Sequence, residues 1–316
     1  MGQNKSGEIV KQIEKVLIGK QEAARLAVVC LLAEGHLLIE DVPGVGKTTL
    51  ARTLAEALGC QFGRIQFTPD TLPSDVTGVS VYRMDTGAFS YVPGAVMNQI
   101  VLADEINRAT PKTQASLLEA MEERQVSVDG KTYPLPKPFF VIATENPIDE
   151  LGTYQLPEAQ LDRFFLQLSI GYPARVSEEA MIEEFLHNKA WKQVETITNE
   201  EEILQMQQEV KQVRIHPDLI AFVLDMAAET RKHPSLVLGA SPRAVLALLR
   251  GAQAVAYMEE RDYVIPDDVV FVLEPILCHR LILTAEARMN GGTPAKVISE
   301  IRRNVILPVL SKEKLK

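Results

Sequence analysis

His36-Leu37-Leu38-Ile39-Glu40-Asp41-Val42-Pro43-Gly44-Val45-Gly46-Lys47-Thr48-Thr49 is the stretch on which the fold turns. An apolar run of strand length enters a loop bearing two glycines. An amphipathic stretch follows, Thr49 to Leu58, with Gly59 placed as its C-cap. Strand, loop and helix in this order form the context in which a Gly-Lys-Thr ending binds phosphate. Gly44 and Gly46 let the backbone curl so that successive N–H groups point inward as an anion nest. The helix start adds its partial positive charge. Lys47 is placed to reach β- and γ-phosphates, and the Thr48 hydroxyl to ligate Mg²⁺. Pro43, Gly44, Val45, Gly46, Lys47, Thr48 and Thr49 are therefore the candidate cofactor-binding loop. Asp41 departs from the strict pattern, which has glycine there. A carboxylate aimed inward would repel phosphate. Its side chain is expected to face away and cap backbone N–H groups, with the left-handed backbone that aspartate tolerates available to form the turn.

Four further runs read as buried strands: Gly63 to Phe67, Gln99 to Ala103, Phe139 to Thr144 and Phe164 to Ser169. Helical stretches separate them, the pattern of an α/β fold with a five-stranded, mostly parallel sheet. The pattern changes around Gly171-Tyr172-Pro173, and from Ser177 onward helices alone are expected. Asn199 and Glu202 predict a capping box. Pro217, Pro242 and Pro266 stand where first helical residues belong, with Ser241 as an N-cap. Apolar residues in Leu219 to Ala228 and Val245 to Ala256 recur at helical spacing and predict one small helical core. The expected division is an α/β domain at 1–172 and a compact all-α domain at 173–316.

Ile100-Val101-Leu102-Ala103-Asp104-Glu105 ends a buried strand in two acids, at the sheet edge where open α/β sheets bind ligands. Asp104 is expected to hold Mg²⁺ and Glu105 to polarise an attacking water. After the fourth strand, Asn146 stands where a neutral polar side chain can orient water against a γ-phosphate.

The chain has 316 residues, 46% hydrophobic and 24% charged, enough for two domains with sizeable cores. A net charge of −9 argues against a surface built to wrap duplex DNA. Cys30, Cys60 and Cys278 are far apart without CxxC spacing. They read as small buried core residues, which fits a reducing, cytoplasmic setting. Leu26 to Leu38 is too short and too interrupted for a membrane span, and no secretory signal is expected. Met1-Gly2-Gln3-Asn4-Lys5-Ser6 matches a myristoylation pattern and is read as a chance match.

Together, Asp104-Glu105-Ile106-Asn107-Arg108-Ala109, Phe67-Thr68-Pro69-Asp70-Thr71-Leu72-Pro73-Ser74-Asp75-Val76-Thr77-Gly78 and Ala143-Thr144-Glu145-Asn146-Pro147 resemble MoxR-type AAA+ ATPases. The resemblance covers nearly the whole chain. It implies a P-loop αβα nucleotide-binding domain with a five-stranded parallel sheet at 1–172 and a small all-α lid domain at 173–316, ATP and ADP as ligands with Mg²⁺, hydrolysis of ATP, and assembly as a homo-oligomer, usually a hexameric ring. By motif, Asn146 resembles sensor 1, and Arg163 resembles the arginine finger that reaches a neighbour's γ-phosphate. Arg243 resembles sensor 2, in cis or in trans. Val16 to Gly19, including Ile18 and Gly19, resemble the adenine-side segment. Hairpins at Val79 to Val92 and Gln125 to Pro136 resemble the family's client- or pore-facing loops. The implied work is remodelling of protein clients, with a von Willebrand factor A domain protein as one partner. A nucleotide-gated regulatory binding module is the alternative. A nucleic-acid motor fits less well, since Arg124, Lys131 and Lys137 are thin basic cover for a DNA-tracking hairpin.

Overall fold

A computed structural model describes residues 2–147, 153–186 and 194–308. Five strands form one sheet: β1 (Leu37–Glu40), β2 (Phe62–Gln66), β3 (Ile100–Asp104), β4 (Phe140–Glu145) and β5 (Leu166–Leu168). Their spatial order is β2-β3-β4-β1-β5, and every pairing is parallel. Each predicted run overlaps one of these strands, but Phe62, Asp104 and Glu145 extend β2, β3 and β4 one residue beyond the runs expected. β3 is buried throughout, and β1 and β4 are buried except at their last residues. β2 is not the doubly buried strand expected. It lies at the sheet's edge and leaves Arg64 and Gln66 exposed. An edge strand has a neighbour on one side only, so less of its surface can be covered.

Side chains alternate across a strand, and the core divides accordingly. Leu37, Ile39, Leu102 and Ile142 face a cluster shared with α1 (Gly2–Val16), α2 (Gln21–Leu32), α3 (Lys47–Leu58) and the helical half. Leu38, Val101, Ala103 and Val141 face a second cluster, with Leu117, Leu118 and Met121 of α5 (Pro111–Glu123). The sheet is thus the middle layer of an αβα sandwich. Gly59 caps α3 at φ +63°, as expected. Both predicted hairpins form, Gly78–Arg83 with Ala88–Pro93 and Gln125–Val128 with Lys131–Pro134. Stacking of Tyr91 on Tyr133, centroids 4.0 Å apart, joins them.

The helical half runs from α7 (Arg175–Leu186) through α8 (Glu200–Gln212), α9 (Pro217–Lys232), α10 (Pro242–Met258), α11 (Pro266–Leu277) and α12 (Ala285–Met289) to α13 (Pro294–Asn304), taking the short turns α4 (Pro73–Thr77) and α6 (Glu158–Leu161) as counted earlier in the chain. Pro217, Pro242 and Pro266 open their helices, and the Ser241 hydroxyl accepts from Ala244 N–H at 3.1 Å. Asn199 caps Glu202 N–H at 3.0 Å, as expected. The Glu202 carboxylate also accepts from Thr198 and pairs with Lys5 of α1. The all-helical expectation needs correction. Leu236–Leu238 and Ile282–Leu283 form a two-stranded antiparallel ladder. Segments of two and three residues are too short for period-two alternation to register. They pair because extended backbone under partial cover needs hydrogen-bond partners.

The helical half is fastened to the sheet by Arg280, whose side chain is 3% exposed. It donates to the Asp162 carboxylate at 2.7 Å and to the carbonyls of Phe164 and Phe165 at 2.6 and 2.9 Å. The three cysteines are free. Cys30 is buried, whereas Cys60 and Cys278 are only half-buried, a partial correction to the core reading. Among the described residues no helix is long and apolar enough to cross a membrane.

Candidate nucleotide site

Gly44 and Gly46 take φ of +86° and +102°, backbone that only glycine adopts without strain. A Cβ on Gly44 would meet nothing within 4 Å, so the loop faces open space there. A Cβ on Gly46 would meet Leu17 Cδ1 at 2.7 Å. The segment before α2 therefore packs directly on the loop. Asp41 turns away from the loop cavity, as expected, and accepts from Val42 N–H at 2.9 Å and Gly171 N–H at 2.6 Å. It does so without left-handed backbone, contrary to the expected device, since its φ is not positive.

Lys47 is buried, and its ammonium donates to the carbonyls of Asp41 and Glu145 at 2.6 and 3.3 Å. Burial lowers its pKa, against the opposing pull of Asp104, Asp41 and Glu105. Parallel pairing of β1 with β4, and of β4 with β3, brings the ends of these strands to one edge. Pro43, Gly44, Gly46, Lys47, Thr48, Thr49, Asp104, Glu105 and Asn146 there line one cleft of ≈ 300 Å³. Asp104 accepts from Thr144 Oγ1 and from Arg64, each at 2.7 Å. Glu105 has φ +57°, a left-handed conformation that costs a non-glycine residue energy and that proteins retain mainly at functional sites. Its carboxylate accepts from Gln66 at 3.0 Å and Arg108 at 2.9 Å.

The residues suit a nucleotide with Mg²⁺. The loop is open over Gly44, and Lys47 and Thr48 line the cleft. Thr48, Asp104 and Glu105 are hard oxygen donors. Among the described residues no group of three His, Cys, Asp or Glu could hold a metal unaided. Mg²⁺ usually takes one or two protein oxygens and completes its octahedron with phosphate and water.

Residues 36–166 match the family model for the ATPase family associated with various cellular activities (AAA), and residues 228–301 match that of the AAA lid domain. The chain is 48% identical to the Bacillus subtilis protein YeaC, over 96% of this chain and 95% of that one. It is 39% identical to chaperone MoxR1 of Mycobacterium tuberculosis, over 94% and 81% respectively. The crystal structure of a Cytophaga hutchinsonii protein assigned as an ATPase superposes with a TM-score of 0.90, at 37% identity and covering 98% and 96% of the two chains. The chain belongs to the MoxR family of AAA+ ATPases.

The other residues singled out by the MoxR resemblance lie elsewhere. Gly19 lines a larger cleft of ≈ 1070 Å³ between the sheet edge and the helical half, which touches the loop at Asp41 and Val42. Ile18 beside it is half-buried. Arg163 precedes β5, whose start is level with the start of β1. It therefore sits at the opposite sheet edge from Lys47. Arg243 is beside it. Both pair with Glu122, at 3.1 and 2.9 Å, and both line a cavity of ≈ 590 Å³ with Asp162 and Arg280. Neither reaches the Lys47 cleft of its own chain. Sequence reasoning missed Arg64, Gln66, Thr144 and Arg108, which hold the two acids. Arg64 and Gln66 had a signal, since polar residues alternated in a supposedly buried strand. Thr144 had none until register set it opposite Asp104.

Proposed function

We propose that this MoxR-family protein hydrolyses ATP in a Mg²⁺-dependent reaction, within a homo-oligomeric ring, and uses the cycle to remodel partner protein complexes. The observation that carries this is the convergence of Lys47, Thr48, Asp104, Glu105 and Asn146 on one cleft. Mg²⁺ would be held by Thr48 and Asp104 and would neutralise charge on the β- and γ-phosphates. The loop N–H groups and Lys47 bind and orient the phosphates. Glu105, released from Gln66 and Arg108, aligns a water and takes its proton. Asn146 fixes that water's direction. Ile18 and Gly19 would contact adenine from the larger cleft. Arg163 and Arg243, remote from their own loop, would serve the neighbour's γ-phosphate, which makes the contact heterologous and suits ring closure. A finger supplied in trans is worth roughly 10³–10⁵ in rate in related phosphoryl transfers.

Division at 1–172 and 173–316, a nucleotide domain with a helical lid, suits this cycle. A cytoplasmic setting agrees with three unpaired cysteines. Protein clients, including a von Willebrand factor A domain partner, are favoured over nucleic acid by the Gly78–Pro93 hairpin. It exposes Tyr82, Met84 and Phe89 beside a single basic residue, Arg83.

Glu105→Gln tests the reading. It should retain ATP binding by calorimetry and lose turnover by about 10²-fold or more, in line with removal of a general base. It should also co-purify a protein partner that wild type holds only with ATP. Equal partner capture with ATP and ADP would favour a passive, nucleotide-gated module instead. Unchanged turnover would remove Glu105 from the reaction.

A further inference from the structure

Asp41 stands where the phosphate-loop pattern has glycine, and the chemistry above gives it no role. Its carboxylate is buried and points away from the Lys47 cleft. One oxygen accepts from Val42 N–H. The other accepts from Ser169 Oγ at 3.0 Å and from Gly171 N–H at 2.6 Å. Burial alone would raise its pKa, but these donors outweigh burial and hold the group ionised. Ser169 and Gly171 follow β5. Gly171, at φ +65°, lies where the chain leaves the sheet for α7 and the helical half. Lys20 grips the same turn through other atoms. Its ammonium donates to the carbonyls of Ile170 and Tyr172 at 2.6 and 2.7 Å. Residues 169–172 are thus held by a carboxylate on their donors and an ammonium on their acceptors.

The backbone of Asp41 is engaged on the opposite side. Its carbonyl accepts from Lys47 Nζ at 2.6 Å, and its N–H donates to the Glu145 carbonyl at 3.2 Å. One residue therefore touches the phosphate-reading lysine with its main chain and the linker with its side chain. We propose that Asp41 is a positioning residue that couples the phosphate loop to the linker into the helical half. Lys47 turning to a phosphate oxygen withdraws the donor from the Asp41 carbonyl. The peptide unit is then held through Val42 N–H, which donates to the Asp41 carboxylate, and its rotation shifts that carboxylate's grip on Ser169 and Gly171. The proposal rests on the reading of the loop as a nucleotide site. A merely structural cap would hold the turn equally with and without nucleotide.

Hydrogen–deuterium exchange across residues 169–172 of the full chain separates the two. It is run without nucleotide, with Mg²⁺ and ADP, and with Mg²⁺ and a non-hydrolysable ATP analogue. Calorimetry measures binding of the same analogue in parallel. In wild type the analogue should change exchange at Gly171 by about fivefold or more, the low end of ordinary coupling between sites. Asp41→Gly, which restores the strict loop pattern, should still bind the analogue. Its linker should exchange fast and alike in every state, and kcat should fall while KM stays near wild type. Ser169→Ala lies outside the loop. It should shrink the nucleotide-dependent difference while the analogue still binds. Two results would overturn the coupling: a wild-type linker that ignores an analogue seen to bind, or a full nucleotide response in Asp41→Gly. Failure of wild type to bind the analogue would defeat the nucleotide reading, and the coupling with it.

Discussion

Glu145 ends β4 next to Glu40 of β1, a pairing fixed by register. Burial, and then the neighbouring Glu40 carboxylate, push its carboxyl from 4.5 up to about 7. Between those values the folded chain holds a proton that the unfolded chain releases. Stability is therefore fully present below pH 4.5 and declines as pH rises to about 7. Glu145→Gln removes the titration. Its thermal midpoint should match wild type at pH 5 and exceed it at pH 8. An equal shift at both would show that packing, not protonation, is at work. Asp104 was legible as a strand-end acid. Its neighbours were not, because Thr144 and Arg64 reach it across β4 and β2, and one-dimensional spacing carries no cross-strand register.

At the scale of elements, left-handed positions decide where chain direction reverses. Asp129 and Gly130 take φ of +50° and +74°, the double left-handed turn of a tight hairpin. A Cβ on Gly130 would meet nothing, whereas one on Gly59 would approach Thr196 Cγ2 at 2.9 Å and Thr198 O at 3.1 Å. Gly130→Ala should therefore cost about 1 kcal/mol from backbone strain alone. Gly59→Ala should cost more, since a methyl must also displace the 196–198 segment. Urea titration checks the ranking, and equal losses would contradict it. Hairpins, caps and buried strands were readable because each depends on residues close in sequence. The Leu236–Leu238 ladder was not, because its partner is more than forty residues away and neither arm is long enough to show a period.

Across the whole molecule, Lys47 and Arg163 lie at opposite edges of one sheet, and Glu122 holds Arg163 and Arg243 together. Arg163→Ala should bind ATP like wild type and lose turnover by about 10³-fold or more. Mixed with Glu105→Gln, itself inactive, it should regain measurable turnover, because some interfaces then pair an intact finger with an intact Glu105. A mixture as inactive as its components would refute action in trans. Arg280 works at this scale too. Buried against Asp162, it fixes the helical half to the segment that carries Arg163, so Arg163 and the helical half share one anchor.

The amino-acid sequence by itself determined the five strands, the loop at Gly44 to Thr48, the acids at Asp104 and Glu105, and the family. These depend on local periodicity, turn chemistry and motif spacing. Tertiary structure alone decided the edge position of β2, the partners of Asp104 and Glu105, the placement of Arg243 beside Arg163, and the grip of Asp41 on Gly171. Apart from Arg108, three residues from Glu105, each of those joins residues tens of positions apart, set by how the sheet orders its strands and how the helical half docks. Asp41 joins both kinds. Its mismatch with the loop pattern was visible in the chain, and its reason became visible only when β5 delivered Gly171 to its carboxylate.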